Sequence, residues 1–205
     1  MPNLTLITAT DRHPGEPFFK AVEQALLGGV DAVLVREKQL TSASLLALAS
    51  RLRQMTYDNH ARLIIHSQAD IAVAVDADGI HLSSAEIQTI PAARQWLADA
   101  NKTVSVSCHN ADELMQASVY DADYAMLSPV FATASHPGTP YLGLDGFHAL
   151  ASAATLPIIA LGGIGTDNCK RLQGMQVAVI GAILDAEDPC LTAQQLLAAT
   201  RVEAG

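Results

Sequence analysis

Residues able to do chemistry recur in this chain just after short apolar runs. Thr8 and Asp11 follow Leu4 to Thr8, Arg36-Glu37-Lys38 follows Ala32 to Val35, and His66-Ser67 follows Leu63 to Ile65. His81 lies in Gly79 to Leu82 with Ser84 and Glu86 behind it, and Ser107 and His109 follow Thr103 to Val106. Ser128, Thr133, Ser135 and His136 belong to LSPVFATASHPGTPYLG, a proline-punctuated stretch from Leu127 to Gly143 that lacks helix or strand periodicity. A loop of that length in a compact domain is expected to close over a site as a lid. Imidazoles suit proton transfer near neutral pH. Arg36 and Lys38, two apart at a strand end, point to one side and could hold an anion, unless Arg36 is spent on Glu37 or a lid carboxylate. A different signal comes from Leu161-Gly162-Gly163-Ile164-Gly165 and Ile180-Gly181-Ala182, which offer bare backbone NH groups and a short helix N-terminus. That is a place for a phosphate monoester, the competing reading being glycines that only serve tight turns. A zinc site of four histidines is disfavoured because they come from four loops with no short ligand spacing.

Something must bring these loop residues together, and the apolar runs suggest what. Strand Leu4 to Thr8 precedes a helix from about Pro17 whose apolar face carries Phe18, Val22, Ala25 and Leu26, stopped by Gly28-Gly29. The pairing repeats: strand 32–35 with helix 42–57, strand 63–65 with helix 69–75, strand 79–82 with helix 91–100, strand 103–106 with helix 111–120. Strand 124–127 is followed by the lid and helix 144–153, strand 158–161 by helix 167–173, and strand 177–180 by a helix over about 192–202. Continuous rather than alternating apolar strands imply a parallel sheet covered by helices. The eight strand-helix units imply a single-domain (β/α)8 TIM barrel over residues 1–205, with a doubly wound open sheet as the alternative. In a barrel, all the loops that follow strands gather at one mouth.

The bulk composition excludes several classes. Half the residues are hydrophobic and 16% charged, enough to bury a core without disulfides or metal. A formal charge of -9 with only 12 Lys and Arg argues against nucleic acid, which demands clustered cations. Apolar stretches are broken well before the roughly 18 residues of a membrane span. Cys108, Cys169 and Cys190 show no CxxC spacing, and no export signal opens the chain, so a cytoplasmic location is expected.

Six ordered blocks carry a family resemblance: VREK (35–38), AVAVDADGIHL (72–82), SVSCH (105–109), SPVFATASHPGTPYLGLDG (128–146), ALGGI (160–164) and VAVIGAIL (177–184). Together they resemble the thiamine-phosphate synthase and thiazole tautomerase family. The resemblance implies a barrel that binds thiazole phosphate, with the phosphate at Gly162, Gly163 and Gly181 and with Thr133, Ser135 and Ile180 also touching substrate. The synthases join an aminopyrimidine methyl diphosphate to thiazole phosphate with magnesium. Against their pattern, Arg36, Lys38 and Ser107 remain, but His66-Ser67 stands for an Asn-Asp pair and Glu86 for a second magnesium-binding Asp. Leu34 and Ser84 stand for two Gln, and His136 for a lid Lys. These departures imply an eroded magnesium and diphosphate site, hence a tautomerase-like member that requires no cofactor. Magnesium, held by Glu86, would return only with synthase activity. The tautomerase branch keeps its catalytic His where this chain has Pro129, which leaves His136, His66 and His109 as proton carriers, in that order. An active synthase and a non-catalytic thiazole phosphate binder are the alternatives, and a homodimer is a further expectation.

Overall fold

Three aspartates show how the chain is pinned at the end of the sheet opposite those loops. Asp31 accepts from the NH of Leu4 at 3.0 Å, Asp78 from the NH of Leu63 at 2.8 Å, and Asp123 from the NH of Val104 at 2.6 Å. Each stands just before one strand and fastens the first NH groups of the strand before it. The bonds are charge-assisted, and loss of one costs about 1–3 kcal/mol. Asp78 also holds Arg53 at 2.7 Å. We expect Asp78→Ala to lower the thermal midpoint by several degrees while leaving the distant mouth unaffected. A scan showing no change would remove this staple from the account.

The computed structural model describes residues 1–133, 138 and 140–202. Eight parallel strands close into one barrel in sequence order: β1 (Leu4–Ile7), β2 (Ala32–Val35), β3 (Arg62–His66), β4 (Gly79–Leu82), β5 (Thr103–Cys108), β6 (Tyr124–Leu127), β7 (Ile158–Leu161) and β8 (Gln176–Val179). Pairing of Leu4 with Val177 closes β1 on β8, which rules out the open sheet. Outward residues such as Leu6, Val33, Ile65 and Val106 pack under the helices with Phe18, Val22, Leu52 and Phe147. A smaller cluster of Ile7, Leu34, Ile64, Tyr124, Met126 and Ile159 fills the barrel itself. The alternation along each strand separates the two layers.

The helices are α1 (Glu16–Leu27), α2 (Ser42–Asp58), α3 (Ala69–Ala74), α4 (Ile90–Leu97), α5 (Ala111–Val119), α6 (Gly143–Ala153), α7 (Gly181–Leu184) and α8 (Pro189–Thr200). Local caps explain several starts: Thr41 accepts from the Ser44 NH, Asn110 from the Glu113 NH and Asp188 from the Leu191 NH. A side chain at Gly28 would collide with the Cys190 carbonyl, so α1 must end in glycine for α8 to pack beside it.

The structure corrects several expected elements. The segment after β7 is only a 3-10 turn, Cys169–Leu172, and α7 intervenes before the last helix. The expected helix 91–100 begins at Ile90, ends at Leu97 and is preceded by a 3-10 turn over Ser84–Thr89. That turn starts at once because Ser83 and Glu86 form a reciprocal capping box. β3 and β5 run further than the apolar pattern indicated, so His66 and Ser107 lie on strands. No helix among the described residues is long and apolar enough to cross a membrane.

Candidate functional site

At the mouth lies a cavity of about 320 Å³ whose wall includes Arg36, Lys38, His66, Ser107, His109 and Thr133. A second hollow of about 190 Å³ is lined by Gly162, Gly163 and Gly181 and shares Thr133, Leu161, Gly162 and Ile180 with the first. The two cations and the glycine loops therefore line adjoining hollows. Ser135 and His136 lie outside the described residues. The depression between α5 and α6, about 210 Å³ with Met115, Val119 and Leu150 in its wall, contains no titratable group.

Arg36 is set by β2 and by its NH, which donates to Thr8 Oγ1 at 3.0 Å. Glu37 does not neutralise it. The buried Glu37 carboxylate instead accepts from the Thr10 NH and Oγ1, both at 2.9 Å, and from Gln39 at 2.8 Å. It fastens the loop after β1 to the loop after β2. Among the described residues, neither Arg36 nor Lys38 has an ion-pair partner. Two cations converging on a cavity without a carboxylate between them form an anion site.

The histidines divide into different environments. His81 is buried inside the barrel, where its Nδ1 lies 2.9 Å from Ser105 Oγ and its Nε2 2.8 Å from Ser107 Oγ. Ser105 also donates to the Ile80 carbonyl at 3.3 Å, so we assign the His81 proton to Nδ1, leaving Nε2 to accept from Ser107. Ser107 is thereby oriented from behind by a ring the sequence reading noted but gave no role. Burial, helped by His66 and Arg36, pushes His81 down to about 3. Burial first, then the Arg36 cation, pushes His66 down to about 4. Both rings are neutral at pH 7, so the charge on this wall comes from Arg36 and Lys38. An unfolded chain protonates both near pH 6.5, so the stability they contribute is complete above that value and is lost on acidification toward about 4 and 3. We expect the thermal midpoint to fall from about pH 6.5 to about pH 4.5, with a shallower slope in His66→Gln. An identical slope in that variant would contradict the stated environment of His66.

His109 lies just before the N-cap of α5, where its backbone NH and Nδ1 donate to Glu113 Oε2 at 2.7 and 2.9 Å. A carboxylate-oriented imidazole on the cavity wall is the arrangement a proton carrier needs. Cys108 and Cys169 are buried, with thiols pushed up to about 12 and 11, which makes them poor nucleophiles.

Glu86 is the candidate magnesium ligand. Its Oε2 accepts from Ser67 Oγ at 2.6 Å, from Ser83 Oγ at 2.6 Å and from the Ser83 NH at 2.9 Å. Burial alone would raise its pKa, but the hydrogen bonds from Ser67 and Ser83 outweigh it and the net shift is downward. Ser67 is held with φ of 58°, in the left-handed region, with its NH on the His81 carbonyl at 2.9 Å. No group of three or more His, Cys, Asp or Glu among the described residues could hold a metal ion. One carboxylate with one oxygen already accepting three hydrogen bonds does not fit a magnesium site built by the protein.

The glycines are explained in part by packing. A side chain on Gly163 would collide with the Ala132 carbonyl, and one on Gly162 would lie 2.7 Å from Pro129. Both have positive φ, 66° and 100°. The loop after β7 is thus pressed against the first part of the Leu127–Gly143 loop, whose Val130 and Phe131 NH groups bond the Leu161 and Gly162 carbonyls at 2.9 and 3.0 Å.

Comparison with known proteins gives one consistent result. Residues 4–184 match the family model described as thiamine monophosphate synthase. A thiamine-phosphate synthase of Moorella thermoacetica is 36% identical over 199 residues, covering 95% of this chain and 93% of the relative. A putative thiamine-phosphate synthase of Geobacter sulfurreducens is 37% identical over 204 residues, covering 96% and 94%. Among solved structures, thiamine phosphate pyrophosphorylase from Pyrococcus furiosus superposes with a TM-score of 0.83 at 29% identity, over 97% of this chain and 95% of that one.

Proposed function

The chain belongs to the thiamine monophosphate synthase family, and from that premise we propose that it joins an aminopyrimidine methyl diphosphate to thiazole phosphate. The observation behind this reading is a pair of adjoining hollows, one walled by two cations that have no ion-pair partner among the described residues and the other by glycine loops. A diphosphate leaving group develops more negative charge than the carboxylate of an isomerase substrate would, and two cations suit it better than one. The retained cations and the synthase names of the relatives together favour transfer over the tautomerase expectation.

In this reading the C–O bond between the pyrimidine methylene carbon and the diphosphate breaks, and its electron pair leaves with the diphosphate. The ring nitrogen of thiazole phosphate donates its lone pair to that carbon, forming the C–N bond. Arg36 and Lys38 receive the negative charge that develops on the leaving group, which lowers the barrier more than it stabilises the bound substrate. Ile7, Leu34 and Leu161 line the cavity and keep water from the electron-poor carbon. The glycine loops hold the thiazole phosphate. No step runs through magnesium, since the described residues do not form its site.

Two anionic ligands must therefore bind together. Inorganic diphosphate and thiazole phosphate, titrated alone and in combination, are expected to show independent or cooperative binding. Mutual exclusion would defeat the two-ligand reading. A second reading rests on the His109–Glu113 pair, which is arranged for proton transfer. Under it, the protein isomerises a thiazole carboxylate phosphate, and His109→Gln lowers that rate about 100-fold or more.

A further inference from the structure

The hollow beside Gly181 contains a charged pair that no role above uses. Arg12 comes from the loop after β1 and Asp185 from the end of α7, 173 positions away, and closure of β1 on β8 brings them together. Arg12 Nη1 bonds Asp185 Oδ2, and His13 Nε2 lies 3.3 Å from Asp185 Oδ1. A methyl group built on Gly181 would lie 2.7 Å from Asp185 Oδ2 and 3.0 Å from Arg12 Nη1. Both charges thus stand over the glycine edge, and both residues line the hollow with Gly162 and Gly163. Their side chains are 30% and 46% exposed, so the pair adds little to stability as an ion bridge. Its position is informative in another way, because a carboxylate stands where a phosphate would meet the same guanidinium.

The two partners differ in how firmly they are held. The loop carrying Arg12 is tied to the end of β2 by the bonds from Thr10 to Glu37, at 2.9 Å each. Asp185 sits just past a helix of four residues. An arriving anion can displace the carboxylate while the guanidinium stays.

We propose that Arg12 is a phosphate ligand of this hollow and Asp185 its resident counter-anion, which a phosphate monoester must displace. The proposal rests on the thiazole phosphate reading for the identity of the monoester. A phosphate dianion offers more charge and more acceptor oxygens to Arg12 than a single carboxylate does, whereas a neutral alcohol offers nothing. The internal carboxylate therefore raises selectivity for phosphorylated over unphosphorylated thiazole at some cost in affinity.

The test is a calorimetric titration of the whole chain with thiazole phosphate, the corresponding thiazole alcohol and inorganic phosphate. Arg12→Gln is expected to weaken both phosphate ligands about 10- to 100-fold and leave the alcohol unchanged, and Arg12→Lys to recover part of the loss. Asp185→Asn is expected to tighten both phosphate ligands several-fold, because the competing anion is gone. A merely structural bridge gives the opposite sign, since loss of Asp185 would free Arg12 and weaken binding. Unchanged phosphate affinity in Arg12→Gln, or weaker binding in Asp185→Asn, overturns the proposal. Thermal midpoints within a few degrees of the parent show that the variants fold. Inorganic phosphate binding is read without turnover, so the pattern can hold even if the synthase reading fails, and the two failures remain distinct.

Discussion

Replacing Arg36 with Gln is expected to lower kcat/KM for thiamine phosphate formation about 100- to 1,000-fold, the usual consequence of removing one preorganised group from a developing anion. The neutral amide keeps hydrogen-bonding capacity but not the charge. His66 and His81 cannot substitute, because they are held neutral by burial and by Arg36 itself. Lys38 is more exposed than Arg36, and its charge is screened by water, so Lys38→Gln is expected to cost about tenfold. Glu86→Gln is expected to cost less than Arg36→Gln, since Glu86 serves the Ser67 and Ser83 network. Steady-state rates for the three variants, with thiazole phosphate saturating, give the ranking. If Glu86→Gln proved the most damaging, the leaving-group charge would be carried by a metal on Glu86, and the assignment to Arg36 and Lys38 would fall.

The second large effect belongs to Gly163. Alanine there needs φ of 66° and places a methyl against the Ala132 carbonyl and the Phe131 backbone. The first costs about 1 kcal/mol or more; the second forces the loop after β6 away from the loop after β7. Because those loops share the wall of both hollows, Gly163→Ala is expected to lower kcat/KM more than 100-fold, mainly through the KM for thiazole phosphate, together with a lower thermal midpoint. Gly146→Ala is the control. It lies in α6, with its nearest neighbour 3.7 Å from the added methyl, so it is expected to leave the rate alone and raise stability slightly. Equal behaviour of the two variants would contradict the packing described for Gly163.

The barrel was legible because its strands are buried on both faces. Runs such as AVLV and YAML carry no charge or small polar side chain, and Gly, Asp or Pro punctuates them, so strand positions follow from local composition. β3 and β5, which carry polar residues at or next to their ends, are longer than their apolar runs. TVSVSC alternates, and its Ser107, expected just past the strand, is with Ser105 an interior partner of His81. The residue after each strand gave Arg36, Lys38, His66 and the glycine loops, since position in a strand-helix repeat places a residue at the mouth. Arg12 and Asp185 were not legible, because they become neighbours only when the first strand closes on the last. The same limit hid Glu37, which looks like a partner for Arg36 in sequence but is turned inward to Thr10. The three aspartates under β1, β3 and β5 do leave a local signal, an Asp just before each even strand up to β6, and that signal could have been read as structural.

Whether the two anion-binding ends serve one reaction is settled most directly by a single-turnover experiment. Protein in excess is mixed with labelled aminopyrimidine methyl diphosphate, with and without thiazole phosphate, quenched, and analysed for diphosphate and thiamine phosphate. The account predicts diphosphate and thiamine phosphate appearing together in equal amounts only when both substrates are present, and both slowed about 100-fold or more in Arg36→Gln. Intact diphosphate substrate after long incubation with thiazole phosphate, or diphosphate release without the C–N product, would contradict it.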